Sequence, residues 1–248
     1  MTTQEFSAQF DTLVNSYINE QEFGEQASRF DFTFDEYEKS VFLTKAQKEL
    51  VYQYYSGKNA FNLSFEEKEE LREALDTLVK TVVYTSTLPD YTSYTATYTD
   101  EHKTYAYSIP TNLLYIIFEE VKFASGSNCP AGNTALVTPA THDELWHRMK
   151  NPFRGPSKAR VLRVNVQDNV VELISDYPIG SYLLRYVEEP KPIILIDLSN
   201  INGLSIDGKS DKTECALPSF IHFRILDEAV RLAVQSRMIG RTTGQKQS

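Results

Sequence analysis

Few residues that announce a chemistry are present in this sequence. The 248 residues include two cysteines, Cys129 and Cys215, far apart and without the paired spacing of a zinc site. Neither a disulfide framework nor a metal knuckle is predicted, and both read as reduced structural thiols. No G-x-S-x-G elbow occurs, and neither cysteine has neighbours that would lower a thiol pKa, so nucleophilic catalysis has no local signature. The glycines of "ASGSNCPAGNTA" are followed by no Gly-Lys-Ser or Gly-Lys-Thr, which excludes a P-loop. Long apolar runs are missing too: the longest, Leu113 to Phe118, falls far short of the roughly 20 residues of a membrane-spanning helix. The N-terminal "MTTQEFSAQF" lacks the basic-then-apolar order of a secretory signal, and the chain reads as a cytosolic product. There is no surplus of positive charge. A net charge of −9 argues against a protein that coats nucleic acid over its whole surface, because such affinity comes from neutralising phosphates with Lys and Arg.

What is present is apolar and aromatic. Apolar residues make up 41% of the chain, with 15 Tyr and 14 Phe, enough for a large core or for aromatic surface buried against partners. In "EFSAQFDTLVNSYI", Phe6, Phe10, Leu13, Val14, Tyr17 and Ile18 recur at helical spacing. A second helix is predicted from a capping box of Thr33 and Glu36, with Tyr37, Val41, Leu50, Val51 and Tyr54 as its stripe and Gly57 as its stop. A third is predicted from Ser64, capped through Glu67, running by Leu71, Leu75 and Leu78 to Val79 and Val82.

Beyond Tyr84 the period shortens to that of strands. "YTSYTATYT" and "NLLYIIFEEVKF" are aromatic and β-branched; "ARVLRVNVQDNVVELIS" reads as a hairpin turning at "QDN"; and "SYLLRYVEEPKPIILIDLSNINGLSI" continues as strands broken at Pro190 and Pro192. One short helix interrupts them, "THDELWHRMK", capped by Thr141 and Glu144. After Cys215 helical spacing returns: Ile221, Ile225, Ala229, Leu232 and Ala233 oppose Arg224, Asp227, Arg231 and Gln235. The predicted fold is α+β: a helical bundle of residues 1–83 and 217–240, an inserted β-rich module at 84–216, and a flexible tail at 241–248.

"HDELWHRMKNPFRGPSKARVLRV" concentrates the candidate functional residues. His142 and His147 are five apart, which on a helix separates them by about 140° and removes them from one metal-binding face. Adjacent carboxylates, Glu119 with Glu120 and Glu188 with Glu189, point to opposite faces of their strands and do not form an acid–base pair. No catalytic, cofactor or metal site is predicted. The cations Arg148, Lys150, Arg154, Lys158, Arg160 and Arg163 instead surround Pro152, Gly155 and Pro156, which restrict a loop and suit it to contact phosphates or an acidic protein surface.

That stretch, with "NVVELISDYPIGSYLLRYVEEPKPIIL", "TECALPSFIHFRILDEAVRLAVQSR" and "FDEYEKSVFLTKAQKELV", resembles structural proteins of crAss-like tailed bacteriophages over most of the chain. More distantly, a helical bundle closed by "ILDEAVRLAV" and carrying a β-rich insertion is similar to the head-to-tail adaptors of short-tailed phages. The resemblance implies a non-enzymatic virion protein, made in the host cytoplasm. It would form a dodecameric neck ring that docks on the portal, meets further tail rings and lets DNA pass without specific binding. Residues 235–248 would reach the portal. Interface contacts are expected at Trp146, Arg148, Arg154, Arg160, Arg237 and Arg241, with the acidic Glu66, Glu67, Glu69 and Glu70 as a complementary surface. A DNA-binding accessory protein and a cell-wall hydrolase are the competing readings.

Overall fold

A computed structural model describes residues 1–20, 33–58, 65–89, 91–95, 102–124, 133–199, 201 and 203–244. The fold is α+β, with two compact units, one of Met1–Leu78 with Pro190–Ser248 and one of Val79–Glu189. The expected module of 84–216 differs from the second unit at both ends: Val79 already belongs to a strand, and Pro190 onward belongs with the helices.

In the first unit, α1 (Thr3–Glu20) buries Phe6, Phe10 and Val14. The next helix, α2 (Glu36–Ser56), starts later than predicted. Asp35 is its N-cap, accepting from the Glu38 amide while the Glu38 carboxylate accepts from the Asp35 amide, and Gly57 closes it at φ 75°. Thr33 and Glu36 do not form the predicted cap because Glu36 is already helical and its carboxylate binds Ser7 and Lys39. Val41, assigned to the apolar stripe, is exposed.

The third helix, α3 (Glu69–Leu75), is shorter than predicted, and Ser64 lies outside the described residues. After a single 3-10 turn the chain becomes β1 (Val79–Tyr84). Val79 and Val82 are therefore strand residues, since β-branched side chains pair there with the strand Ile179–Glu188 more favourably than they extend a helix.

In a strap at 190–213, of which 193–206 was predicted as strands, the described residues form only isolated bridges, Ile194 with Thr213 and Ile206 with Lys209. Some of its backbone groups bond within the strap, as Leu198 N does to Ser210 O, and three residues at its start are held by a polar row on α2. Thr44 Oγ1 accepts from the Ile193 amide (3.1 Å), Ser40 Oγ from the Leu195 amide (3.0 Å), and Gln47 Nε2 donates to Lys191 O (2.8 Å). Ser40, Thr44 and Gln47 are buried, and so are Ile193, Ile194, Leu195 and Leu198 of the strap. A last helix, α5 (His222–Gly244), buries Ile225, Leu226, Ala229, Val230, Ala233 and Val234. Its backbone continues through 241–244, part of the expected tail, and 245–248 lie outside the described residues.

The second unit is a seven-stranded mixed sheet with the order β1-β7-β3-β4-β5-β6-β2. Its remaining strands are β2 (Lys103–Ser108), β3 (Leu113–Phe123), β4 (Thr134–Pro139), β5 (Arg160–Gln167), β6 (Val170–Ser175) and β7 (Ile179–Glu188). The predicted β5–β6 hairpin forms, with Asn169 at φ 61° in its turn. Tyr91–Thr95 of the predicted "YTSYTATYT" strand are not in a strand, and 96–99 lie outside the described residues.

The sheet curls until its two ends meet. Tyr84 of β1 and Tyr107 of β2 approach to 5.8 Å between ring centroids, and the Leu88 amide donates to Ala106 O across the seam. Val121, Phe123, Val161, Leu173, Tyr182 and Leu184 form the core on the inner face. The pair β4–β5 is parallel, and α4 (His142–Lys150) is its crossover. Leu145 of α4 packs on Leu162, Val164 and Ile174, which face outward, so β5 and β6 are buried on both sides.

Candidate interaction surface

Arg148, Lys150, Arg154, Lys158, Arg160 and Arg163 are placed on the crossover helix α4, on the loop after it and on β5. As predicted, Thr141 caps α4, accepting from the Glu144 amide; the Glu144 side chain binds Arg148 rather than completing a box. Alternation along β5 divides the cations. Val161 and Arg163 point inward and Leu162 outward, so Arg163 ends inside the curled sheet instead of in the basic patch.

There Arg163 Nη1 binds Glu119 Oε2 at 2.8 Å, with side-chain exposures of 11% and 5%, and the other Glu119 oxygen accepts from the Tyr182 hydroxyl. Burial pushes the Glu119 carboxyl above its ordinary pKa while Arg163 and the Tyr182 hydrogen bond oppose the shift. Burial and the adjacent carboxylate drive the Tyr182 phenol far upward, so it remains a donor. Sequence reasoning missed this cluster, although a signal was present: Glu119 shares the face of Val121 and Phe123 by strand alternation.

The loop itself is tied by its own backbone. Gly155 N and Arg154 N donate to Asn151 O, Asn151 Oδ1 accepts from the Phe153 amide (2.9 Å), and Arg160 Nη1 donates to Phe153 O (2.6 Å). A Cβ on Gly155 would lie 3.3 Å from the carbonyl oxygens of both Arg148 and Asn151, so the closeness of this turn favours glycine. These bonds leave Phe153 86% exposed at the tip. Arg154 and Lys158 are exposed beside it and form no ion pair among the described residues.

The expected contact residues have different settings. Trp146 is 47% exposed, with Lys150 Nζ 3.7 Å over its ring and His147 edge-on. Arg148 is held by Glu144 and Pro139 O, and Arg160 by Phe153 O. Arg237 pairs with Glu38 and lies over Phe34. The Arg241 side chain lies outside the described residues, as does Cys129. Cys215 is kept protonated by burial, its thiol pushed up to about 11. His142 bonds Asn165 O, while His147 lies edge-on to Trp146.

In the first unit a groove of about 380 Å³ lies between α3 and the start of α5, lined by Tyr54, Glu70, Leu71, Ala74, Phe220 and Arg224 among others. Phe220 is exposed on its wall, Leu71 and Ala74 are buried, and Glu70 and Glu73 stand at the surface. Arg224 is turned onto the Tyr54 hydroxyl at 2.8 Å.

A self-tied exposed knob and a groove with an apolar floor are surfaces of the kind that assembling proteins use. A family model described as phage tail ring protein 3/4 matches residues 1–246. Ring protein 3 of Bacteroides phage crAss001 is 42% identical over 250 residues, covering all of both chains. Ring protein 4/5 of the same phage is 31% identical over 243 residues, covering 94% of this chain and 92% of its own length. The chain belongs to the phage tail ring protein 3/4 family, and its class is that of virion structural ring proteins of crAss-like phages.

Proposed function

We propose that this protein forms a closed homo-oligomeric ring, a dodecamer, in the neck of the virion, where it joins the portal and head to the tail and lines the channel through which DNA leaves. The observation that carries this reading is full-length similarity to a protein named as a ring component, at 42% identity. In this reading the helical unit is a bundle carrying the curled sheet as an inserted module, and the role is structural rather than catalytic. A closed ring requires two different, complementary surfaces on each subunit, and the acidic α3 region and the basic α4–β5 loop supply them. Net charge of −9 suits a channel through which DNA slides without adhering. Trp146 and Arg154 contribute outward contact surface, Arg148 and Arg160 position it, and the end of α5 with Arg237 and Arg241 approaches the portal.

The test is electron microscopy of virions and of the purified protein, with antibody labelling of this chain. A labelled ring at the portal–tail junction with an acidic channel wall is expected. Labelling elsewhere, or a basic channel wall, refutes the reading.

A further inference from the structure

We propose that Phe153 of one subunit inserts into the groove between α3 and the start of α5 of a second copy of this chain. The inference rests on the ring reading and specifies its subunit contact. A phenylalanine that is 86% exposed is ordinary on a loop that samples many shapes, but this loop is held by Asn151, Gly155 and Arg160. The entropy of fixing the knob is thus lost on folding rather than on binding, which favours association. Its flanks are Arg154 and Lys158, with Lys150 on the preceding helix.

The groove matches in shape and charge. Leu71, Ala74 and Ile221 give it an apolar floor and Phe220 an aromatic wall, in a volume that accommodates a benzyl group. Glu70 and Glu73 line it, Glu70 paired with Lys68, in a stretch that also carries Glu66, Glu67 and Glu69. Glu73 is exposed and forms no ion pair among the described residues. Arg224, the cation among the lining residues, donates to the Tyr54 hydroxyl, which holds its guanidinium against α2. A basic, aromatic knob and an acidic, aromatic-walled groove on one chain form a head-to-tail contact, the kind that closes a ring.

The test compares the full-length protein with Phe153→Ala, Arg154→Glu, Glu73→Arg and the double variant Arg154→Glu/Glu73→Arg, by native mass spectrometry and by incorporation into particles. Each single variant should weaken self-association on the order of tenfold or more, with circular dichroism and thermal melting unchanged, and the double variant should recover much of the loss. If the unaltered protein assembles and Phe153→Ala and Arg154→Glu assemble equally well, the docking is overturned while the ring reading stands. A protein that remains monomeric at high concentration and in particles overturns the ring reading and the docking with it.

Discussion

Two irregular segments, the strap at 190–213 and the loop at 151–160, solve the same problem in opposite ways. Both must satisfy backbone groups outside regular structure. The strap, besides bonds within itself, fastens Lys191, Ile193 and Leu195 to Gln47, Thr44 and Ser40 of α2 and turns Ile193, Ile194, Leu195 and Leu198 inward. The loop bonds to itself and turns Phe153, Arg154 and Lys158 outward. An irregular segment fastened to a helix has its apolar side chains in the core, whereas one fastened only to itself and its flanks leaves them in solvent.

Substitutions at inward-facing polar groups should therefore act on stability, and those at the knob on assembly alone. The largest effect is expected for Arg163→Ala, which leaves the Glu119 carboxylate buried without its cation. A loss of about 3–5 kcal/mol in denaturant unfolding is predicted, largely regained in Glu119→Leu/Arg163→Met. Thr44→Val comes next. It removes both hydrogen bonds to Ile193, at about 1–3 kcal/mol, and should expose the strap to proteolysis before the rest of the chain.

Acidification should act through His222. Burial is the main cause holding its pKa below the ordinary value, against a raising contribution from Leu217 O, and the Met1 ammonium beside Nδ1 lowers it further. The unfolded chain binds the proton first as pH falls. Stability is thus full above about pH 6.5 and declines as pH drops from there through the lowered native value, a dependence that His222→Gln should flatten in melting curves. The smallest effect is predicted for Phe153→Ala, within about 0.5 kcal/mol of the unaltered protein, because its ring makes little contact within the chain. A large destabilisation there would erase the distinction between strap and loop.

Helices with one-sided apolar stripes, α1 and α5, were legible because a period of three to four residues is a property of the chain itself, and α4 was legible from its cap, Thr141. The β5–β6 hairpin was legible for the same reason, in its alternation and turn chemistry. Less readable was α3, where Val79 and Val82 continue the helical spacing yet pair with Val187 and Leu184 more than a hundred residues away. The strap misled for a related reason. Its "IILI" has strand composition, but the partner that received its backbone was a row of hydroxyl and amide groups on α2.

Of the candidate contact surface, the sequence by itself determined the concentration of cations, the restricting Pro152, Gly155 and Pro156, the helix before them and the strand after them. It also carried the family resemblance, which the full-length match to ring proteins bears out. Only tertiary structure decided which charges face solvent. Arg154 and Arg163 are the same residue type nine positions apart. One stands on a self-bonded turn in solvent, and the other enters a core because β5 lies between a helix-covered outer face and the inner face that holds Glu119. Composition specifies how much charge a segment carries; its direction depends on strand pairing and on which face is already covered.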